Sequence, residues 1–274
     1  MCPQPDEQAE VDFKIQLEEG KQIPVHVYGQ GDQLLIAIHG YDYDGTVYQH
    51  WAAQLGERYT ICAPDLPFHG NAKWDGHQFT PRHIIAVIRA IAQHQAAHTF
   101  TLAGHSLGAR ILLCTAPDLW QSVDQYIFLA PAGIGSFDRV LPRWMQSIAE
   151  GALAWPAWLK KLVNLGSRLG LVSNFHRRYA EVQLYPPAKR NRLFRTYNSL
   201  VHLRTSRPDR VQYWQKNTVK TLIVLATQDR FVPNDRIRAY FTNVPEVRWQ
   251  QLPGGHDLVH EASAKAIRAE VQIP

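Results

Sequence analysis

The chain lacks the features that mark secreted and membrane-spanning proteins. It has only 3 cysteines among 274 residues, an odd number that cannot form a complete set of disulfides. Cys62 and Cys114 lie within apolar runs, which predicts small buried side chains in a reducing compartment. The polar N-terminus shows no basic and apolar segments of a signal peptide, and no stretch is long and uncharged enough to span a bilayer. We therefore expect a cytoplasmic protein.

Long charged or repetitive tracts are also absent, but the charge is unevenly distributed. Charged residues make up 19% of the chain, hydrophobic residues make up 45%, and the formal net charge is +5. This composition and length indicate one large α/β domain with a sizeable core and room for an insertion. Residues 134–215 hold 14 Lys and Arg against 4 Asp and Glu, whereas the rest of the chain holds 15 against 20. The middle of the chain is therefore a distinct basic segment.

Short apolar runs recur along the chain, with helical patterns between them. Continuous runs, typical of strands buried on both faces, occur at residues 34–38, 59–63, 100–103, 126–130 and 221–226. Alternating apolar and polar residues at 11–17, 23–28 and 247–252 predict half-exposed strands, the first two paired as a hairpin. Helical patterns follow at 81–91 and 258–271. The alternation predicts an α/β fold with a mostly parallel sheet and helices on both faces.

The pentapeptide Gly104-His105-Ser106-Leu107-Gly108 directly follows one of the buried strands. A serine at a sharp strand-to-helix turn has strained backbone geometry, and the flanking glycines remove side chains that would collide there. The turn would expose the Ser106 hydroxyl at the start of a helix, where anionic charge is stabilised. Because such pentapeptides also occur by chance, assigning Ser106 as a nucleophile requires a base and an acid elsewhere in the chain.

Reactive side chains follow five of the predicted strands at their carboxyl ends: His39, Asp65, Ser106, Asp229 and His256. In an open parallel sheet these ends meet at one edge, where such folds keep their binding sites. A histidine can take the proton of a serine hydroxyl near neutral pH, and a carboxylate can orient the imidazole and stabilise its cation. We therefore predict that Ser106 is the nucleophile, His256 the general base and Asp229 the acid that orients it.

With this order of motifs, the chain resembles the α/β-hydrolase superfamily, and in particular its serine-nucleophile, cap-bearing esterase and lipase branch. The resemblance covers nearly the whole chain and includes His39-Gly40, Asp65-Leu66-Pro67-Phe68-His69-Gly70 and Gly254-Gly255-His256. It implies the α/β-hydrolase fold with a helical cap inserted between two strands. It also implies an oxyanion hole made by the backbone N–H groups of Tyr41 and Leu107.

Two residues compete for the roles of acid and base. Asp235 is the alternative acid, although it is expected inside or capping the next helix, and Asp229 itself has an alternative role as a helix cap. His260 is the alternative base, one turn beyond His256. Only His256 follows a glycine pair, which would let the backbone approach the site.

Other histidines near the predicted site have structural explanations. The ring of His39 is expected to bond to neighbouring loop backbone, His105 to pack beneath the turn, and His69 to shape its loop together with Asp65. The histidines at 39, 50, 69 and 77 match no metal-ligand spacing. We expect neither a metal nor a cofactor.

The basic segment interrupts the alternation of strands and helices. We predict a hydrolase core over 1–133 and 216–274 and a helical cap over 134–215, because apolar residues recur there at helical spacing between Gly and Pro breaks. Such a cap would cover Ser106, exclude water and form part of the substrate pocket. The residues predicted to contact substrate are Tyr41, His105, Trp144, Arg190, Arg192 and Arg195.

The arginines of the cap have three interpretations. They are solvated surface residues, or they create a positive field that favours an anionic substrate such as a carboxylate, a thioester conjugate or a phospholipid. The third interpretation, peripheral membrane contact with Trp144, Trp155 and Trp158 in the interface, is not favoured. No nucleic-acid partner is expected, since apolar helices interrupt the basic residues and no recognition fold is evident.

The sequence thus predicts a serine hydrolase of the carboxylesterase or lipase type. It would cleave an ester or related acyl bond of a small molecule, including anionic or lipid-like ones, through an acyl-enzyme on Ser106. One alternative is C–C bond hydrolysis, thioester hydrolysis or acyl transfer by the same triad. The other is a catalytically slow ligand-binding protein that uses the pocket as a receptor.

Overall fold

The computed structural model describes residues 11–134, 161, 164–167, 173, 177–178, 180–184 and 186–271. In this part of the chain, eight strands form one sheet in the order β1-β2-β4-β3-β5-β6-β7-β8. The strands are β1 Phe13–Gln16, β2 Gln22–Tyr28, β3 Gln33–Ile38, β4 Tyr59–Pro64, β5 Phe100–His105, β6 Val123–Leu129, β7 Lys220–Ala226 and β8 Val247–Leu252. The apolar runs and alternating patterns of the sequence predicted all eight.

The strand directions confirm a mostly parallel sheet. Strands β1 and β2 form an antiparallel hairpin, and β2 also pairs antiparallel with β4. The remaining neighbours are all parallel. In this order β3 lies beside β5, with Ile38 opposite Gly104. The loop after β3 therefore lies beside the turn that carries Ser106.

Helices alternate with the parallel strands, as the fold class requires. The described α-helices are α1 Ala52–Leu55, α2 Pro81–His94, α3 Leu107–Leu119, α4 Pro187–Ser199, α5 Pro208–Lys216, α6 Asn234–Phe241 and α7 Glu261–Val271. A 3₁₀ segment at Gly45–Trp51 leads into α1. Helix α2 begins at a proline that suits the first helical position, and the amide of Thr80 before it bonds to the His83 ring at 3.0 Å.

The core lies on both faces of the central strands. The side chains of Ile36, Ile38 and Leu102 are fully buried, and the predicted apolar stripe of α2 from Ile84 to Ile91 is buried as well. Cys62 and Cys114 are buried and are not joined in a disulfide, as their apolar surroundings predicted. Burial of this continuous apolar surface is the main stabilising contribution to the fold.

The described residues group into two compact units. One comprises those of Met1–Asp75, Phe79–Asp138 and His202–Pro274, and the other those of Gly76–Gln78 and Arg139–Val201. The division differs from the predicted cap boundary, because residues 202–215 group with the sheet. The reason is Trp214 of α5, which is 1% exposed and donates from its indole N–H to the carbonyl of Leu113 at 3.1 Å.

Two arginines in the sheet-containing unit are structural rather than surface residues. Arg110 of α3 donates to the carbonyl of Leu203 at 2.7 Å, and Arg210 of α5 donates to the carbonyl of His202 at 3.1 Å. Both are nearly buried, at 4% and 6% exposed. Because it is buried, Arg210 does not belong to the exposed positive surface that the sequence suggested. In the same segment, the hydroxyl of Thr205 donates to the carbonyl of Gly133 at 2.6 Å.

Candidate active site

Ser106 occupies the sharp turn between β5 and α3. Its backbone angles are φ 50° and ψ −107°, a conformation that is strained for a residue with a side chain. Its amide donates to the carbonyl of Leu129 at 2.9 Å, and its own carbonyl accepts from the amide of Arg110 at 3.0 Å. These bonds hold the strained turn between the sheet and the first turn of α3.

The two glycines of the pentapeptide are required by close backbone packing, as predicted. A Cβ atom on Gly108 would lie 2.0 Å from the carbonyl oxygen of Ile38, and one on Gly104 would lie 2.7 Å from the amide nitrogen of Ala109. Atoms cannot approach this closely without moving the backbone. The turn as it stands therefore requires glycine at both positions.

Ser106, His256 and Asp229 form a continuous chain of hydrogen bonds. The Nε2 atom of His256 lies 2.8 Å from Oγ of Ser106, and its Nδ1 atom lies 2.7 Å from Oδ2 of Asp229. The Asp229 side chain is fully buried, and that of His256 is 18% exposed. The three residues come from the loops after β5, β7 and β8, so the parallel topology brings them together at one edge of the sheet.

The Asp229 carboxylate is held by both of its oxygens. Oδ1 accepts the backbone N–H groups of Phe231 at 2.8 Å and Val232 at 2.9 Å, which leaves Oδ2 to accept from His256. Burial opposes its negative charge, but the hydrogen bonds, above all that from His256, outweigh burial and hold the pKa of Asp229 below its usual range. Phe231 and Val232 precede α6, whose N-cap is Pro233, so Oδ1 of Asp229 fixes the loop before the helix and the alternative role as a helix cap is wrong.

The competing acid and base lie elsewhere. Asp235 is exposed in the first turn of α6. The ring of His260 accepts from the amide of Ser263 at 3.3 Å and so caps α7. The predicted close backbone approach at the glycine pair is not found among the described residues, where a Cβ atom on Gly254 or Gly255 would meet no heavy atom within 4 Å. Gly254 instead has a positive φ of 117°, a conformation that favours glycine, and its carbonyl accepts from the amide of Gln228 at 2.9 Å.

His105 supports the loop of His256 from beneath. Its ring is 1% exposed, and its Nε2 atom lies 2.9 Å from the carbonyl oxygen of His256. A carbonyl can only accept, so Nε2 carries the proton. Burial, together with the nearby His256 ring, lowers the pKa of His105 to about 4. The structure therefore gives His105 the predicted packing role and corrects its assignment as a substrate contact, since a buried ring is not available to substrate.

The loop after β3 is fixed by the ring of His39, as the sequence predicted. Nδ1 of His39 donates to the carbonyl of Gly40 at 2.7 Å, and Nε2 accepts the amide of Leu66 at 2.8 Å. Burial lowers the pKa of His39, so the ring is neutral and can make both bonds. A Cβ atom on Gly40 would lie 3.5 Å from Cβ of Ser106. This loop, with Tyr41 next in sequence, therefore runs beside the sharp turn at residues 104–108, here called the elbow.

The second loop is organised by the buried carboxylate of Asp65, again as predicted. It accepts the amides of Gly45 at 2.9 Å and Asn71 at 2.8 Å and the Nε2 proton of His26 at 3.2 Å. Burial opposes its charge, but these hydrogen bonds hold the pKa of Asp65 below its usual range. His69 in the same loop bonds through Nδ1 to the carbonyl of Pro67 at 2.9 Å. Asp65 therefore connects the loops after β3 and β4 and does not join the triad.

The remaining predicted contact residues belong to different segments of the chain. The ring of Tyr41 lies edge-on to that of His69, with centroids 5.5 Å apart. Trp144 lies outside the described residues. Arg190, Arg192 and Arg195 lie on α4 in the second unit, where Arg195 donates to the carbonyl of Gly76. Their contacts with substrate stay predictions.

Other features of the described chain bear less directly on the site. No three His, Cys, Asp or Glu side chains in the described ranges are placed to hold a metal ion. No helix of the described segments is long and apolar enough to cross a membrane.

A polar cleft of about 600 Å³ lies at the amino ends of the strands, lined by residues that include Arg58, Thr101 and Lys220. It is at the sheet edge opposite the triad.

Residues 35–270 match the model of the alpha/beta hydrolase family, and the chain belongs to that family. A stretch of 108 residues is 28% identical to uncharacterized proteins of Mycobacterium tuberculosis and Mycobacterium bovis. That stretch spans 39% of this chain but only 31% of those proteins.

Solved structures share the fold over nearly the whole chain. A thermophilic esterase from Thermogutta terrifontis aligns with a TM-score of 0.69 at 16% identity, covering 96% of this chain and 98% of the esterase. The thioesterase domain from the curacin biosynthetic pathway aligns with a TM-score of 0.66 at 18% identity, covering 94% of this chain and 98% of the domain. At these identities the similarity shows the fold alone.

Proposed function

We propose that the protein is a serine hydrolase that cleaves an ester or related acyl bond through an acyl-enzyme on Ser106. The observation that carries this proposal is the hydrogen-bonded series Asp229–His256–Ser106, with contacts of 2.7 Å and 2.8 Å. Hydrogen bonds of this length are what a base needs to take the serine proton and an acid needs to orient the base. The strained turn that presents Ser106 supports the same role.

In the first half of the proposed reaction, Oγ of Ser106 attacks the acyl carbon while its proton moves to Nε2 of His256. Asp229 stabilises the imidazolium that forms and keeps the proton on Nδ1. The developing oxyanion would be bound by backbone N–H groups. Leu107 supplies one at the N-terminus of α3, where amides have no partner within the helix, and Tyr41 would supply the other from the loop beside the elbow. Collapse of the intermediate expels the leaving group, which takes the proton from His256.

In the second half, water replaces the leaving group. His256 removes a proton from the water as it attacks the acyl carbon, the bond to Oγ of Ser106 breaks, and the proton returns to Oγ. The products are a carboxylic acid and the free enzyme. The same steps cleave a thioester, and attack by an alcohol in place of water gives acyl transfer, so these reactions and C–C hydrolysis are the alternatives to be tested.

We also retain the proposal that the basic segment favours anionic or lipid-like acyl substrates. Helix α4 carries Lys189, Arg190, Arg192 and Arg195 and no acidic residue, and a cluster of one sign attracts oppositely charged ligands. Replacing Arg190, Arg192 and Arg195 with glutamine should raise KM for esters with a terminal carboxylate and spare neutral esters of equal length. Equal changes for both would indicate that these arginines are solvated surface residues. A cytoplasmic location remains a proposal, supported by the fact that the buried thiols of Cys62 and Cys114 are not oxidised to a disulfide.

Active-site labelling tests the proposed enzyme directly. A fluorophosphonate should modify one serine at neutral pH, and peptide mass mapping should place it at Ser106. Ser106→Ala should abolish labelling and the hydrolysis of p-nitrophenyl esters, whereas Ser206→Ala, at an exposed serine outside the triad, should retain both. A folded wild-type protein that binds esters but is neither labelled nor active would instead be a ligand-binding protein.

A further inference from the structure

Phe231 places an exposed aromatic ring beside the predicted base. The Phe231 side chain is 46% exposed, and its ring lies against the imidazole of His256 with centroids 5.2 Å apart and planes tilted by 49°. Its backbone is fixed, because its N–H donates to Oδ1 of Asp229 at 2.8 Å. The next residue, Val232, is buried and donates to the same oxygen. The backbone that carries the ring is therefore held by the same carboxylate that orients His256.

The proposed chemistry determines which half of a substrate meets this ring. His256 takes the proton of Ser106 across 2.8 Å and must then deliver it to the leaving atom. The leaving group is therefore attached next to the imidazole, whereas the carbonyl oxygen would be bound by the N–H of Leu107 in the proposed oxyanion hole. A ring that lies against the His256 imidazole consequently borders the leaving group and not the acyl chain.

We propose that Phe231 forms the leaving-group subsite and selects esters whose alcohol or thiol portion is apolar, with aromatic groups preferred. The inference rests on the proposed function, since it assigns a specificity to the same site. Covering the exposed half of the ring removes apolar surface from water, and an aromatic leaving group adds an edge or offset contact with the ring. An apolar subsite of this kind discriminates by about tenfold or more between large and small groups.

Two ester series measured on matched variants test the subsite. In one series the acyl group is butyryl and the leaving group is methanol, ethanol, benzyl alcohol or phenol. In the other the leaving group is p-nitrophenol and the acyl chain grows from acetyl to octanoyl. Phe231→Ala should lower kcat/KM for the benzyl and phenyl esters about tenfold more than for the methyl ester. It should leave the dependence on acyl-chain length unchanged, and Phe231→Leu should recover much of the loss.

Phe231→Ala and Phe231→Leu both keep the backbone N–H that donates to Asp229. They therefore change the ring but not the hydrogen bond to the carboxylate. Trp120→Ala removes another exposed aromatic ring, 51% exposed and beyond the far end of α3, and should behave like wild type. Deacylation provides a second readout. The rate at which a butyryl-enzyme is hydrolysed should be the same in wild type and Phe231→Ala, because the leaving group has already departed.

The outcomes separate the subsite from the catalytic proposal. If Phe231→Ala lowers kcat/KM equally for all leaving groups, or slows deacylation to the same degree, the ring acts only on His256 and the subsite is wrong. If the change follows acyl-chain length, the ring belongs to the acyl side and the inference is likewise overturned. Failure of the proposed function looks different, because the wild-type protein would then neither label at Ser106 nor hydrolyse any member of either series.

Discussion

The residue before the nucleophile holds the backbone of the base: Nε2 of His105 donates to the carbonyl of His256 across 2.9 Å. The two residues are far apart in sequence, yet this bond couples the elbow after β5 to the loop after β8. His105 is buried and neutral at pH 7, since burial lowers its pKa to about 4. It therefore acts as a positioning residue and not as a second base.

Removing this bond should lower turnover more than substrate binding. His105→Ala leaves the His256 carbonyl without its donor, and a shift of the imidazole by about 1 Å costs on the order of a hundredfold in rate. We expect kcat for a p-nitrophenyl ester to fall between about tenfold and a hundredfold with KM nearly unchanged. His105→Gln, whose amide N–H can reach the same carbonyl, should retain most of the activity. Equal losses in both variants would assign His105 to packing alone.

The lowered pKa of His105 also predicts how stability depends on pH. Its pKa falls from 6.5 in an unfolded chain to about 4 in the folded protein, so the unfolded state binds more protons between these values. Stability should therefore decrease as the pH falls from about 6.5 to about 4, by on the order of 3 kcal/mol from this residue. The pKa of His39 is lowered in the same direction and adds to the loss.

Urea unfolding at pH 7 and at pH 4.5 measures this effect. His105→Gln has no titrating ring, so its stability should decrease less than that of the wild type between the two pH values. A residual decrease is expected from His39. Identical decreases in the two proteins would contradict the assignment.

Asp229→Asn should inactivate the enzyme while preserving the fold. The amide oxygen can still accept from Phe231 and Val232, whose N–H groups lie 2.8 Å and 2.9 Å from Oδ1. The amide NH₂ would then face Nδ1 of His256, which must accept and so carries its proton on Nε2, where it cannot take the proton of Ser106. We expect kcat to fall roughly 10⁴-fold with the free energy of unfolding little changed. Asp235→Asn, on the exposed side of α6, is the matched control and should be fully active.

Two glycine substitutions should differ sharply in stability. An alanine at Gly108 would place Cβ 2.0 Å from the carbonyl oxygen of Ile38, whereas the Cβ of an alanine at Gly255 would meet no atom of the described part of the chain within 4 Å. Gly108→Ala should destabilise the protein by about 2 kcal/mol or more, because the elbow backbone must move. Gly255→Ala should change stability by less than about 0.5 kcal/mol. Chemical denaturation measures both, and a stable Gly108→Ala protein would refute the close packing of the elbow.

Much of the fold could be predicted from the sequence because its signals are local. Apolar runs specify strands buried on both faces and alternation specifies half-exposed ones, so all eight described strands were expected. The steric demands of a sharp turn likewise identify Gly104 and Gly108. Since parallel strands expose their carboxyl ends at one edge, the positions of Ser106, Asp229 and His256 after strands also predicted that they would meet.

The tertiary structure decided what each nearby residue does, because hydrogen-bond partners come from distant parts of the chain. It gave His105 a backbone carbonyl in place of a substrate, and it buried Arg210 against the 202–204 segment in place of solvent. At Gly254, where the sequence suggested a close approach of the backbone to the site, it showed a positive φ angle that favours glycine. The ring of Phe231 carries no sequence signal of its own, since its contact with His256 arises only when β7 and β8 pair side by side.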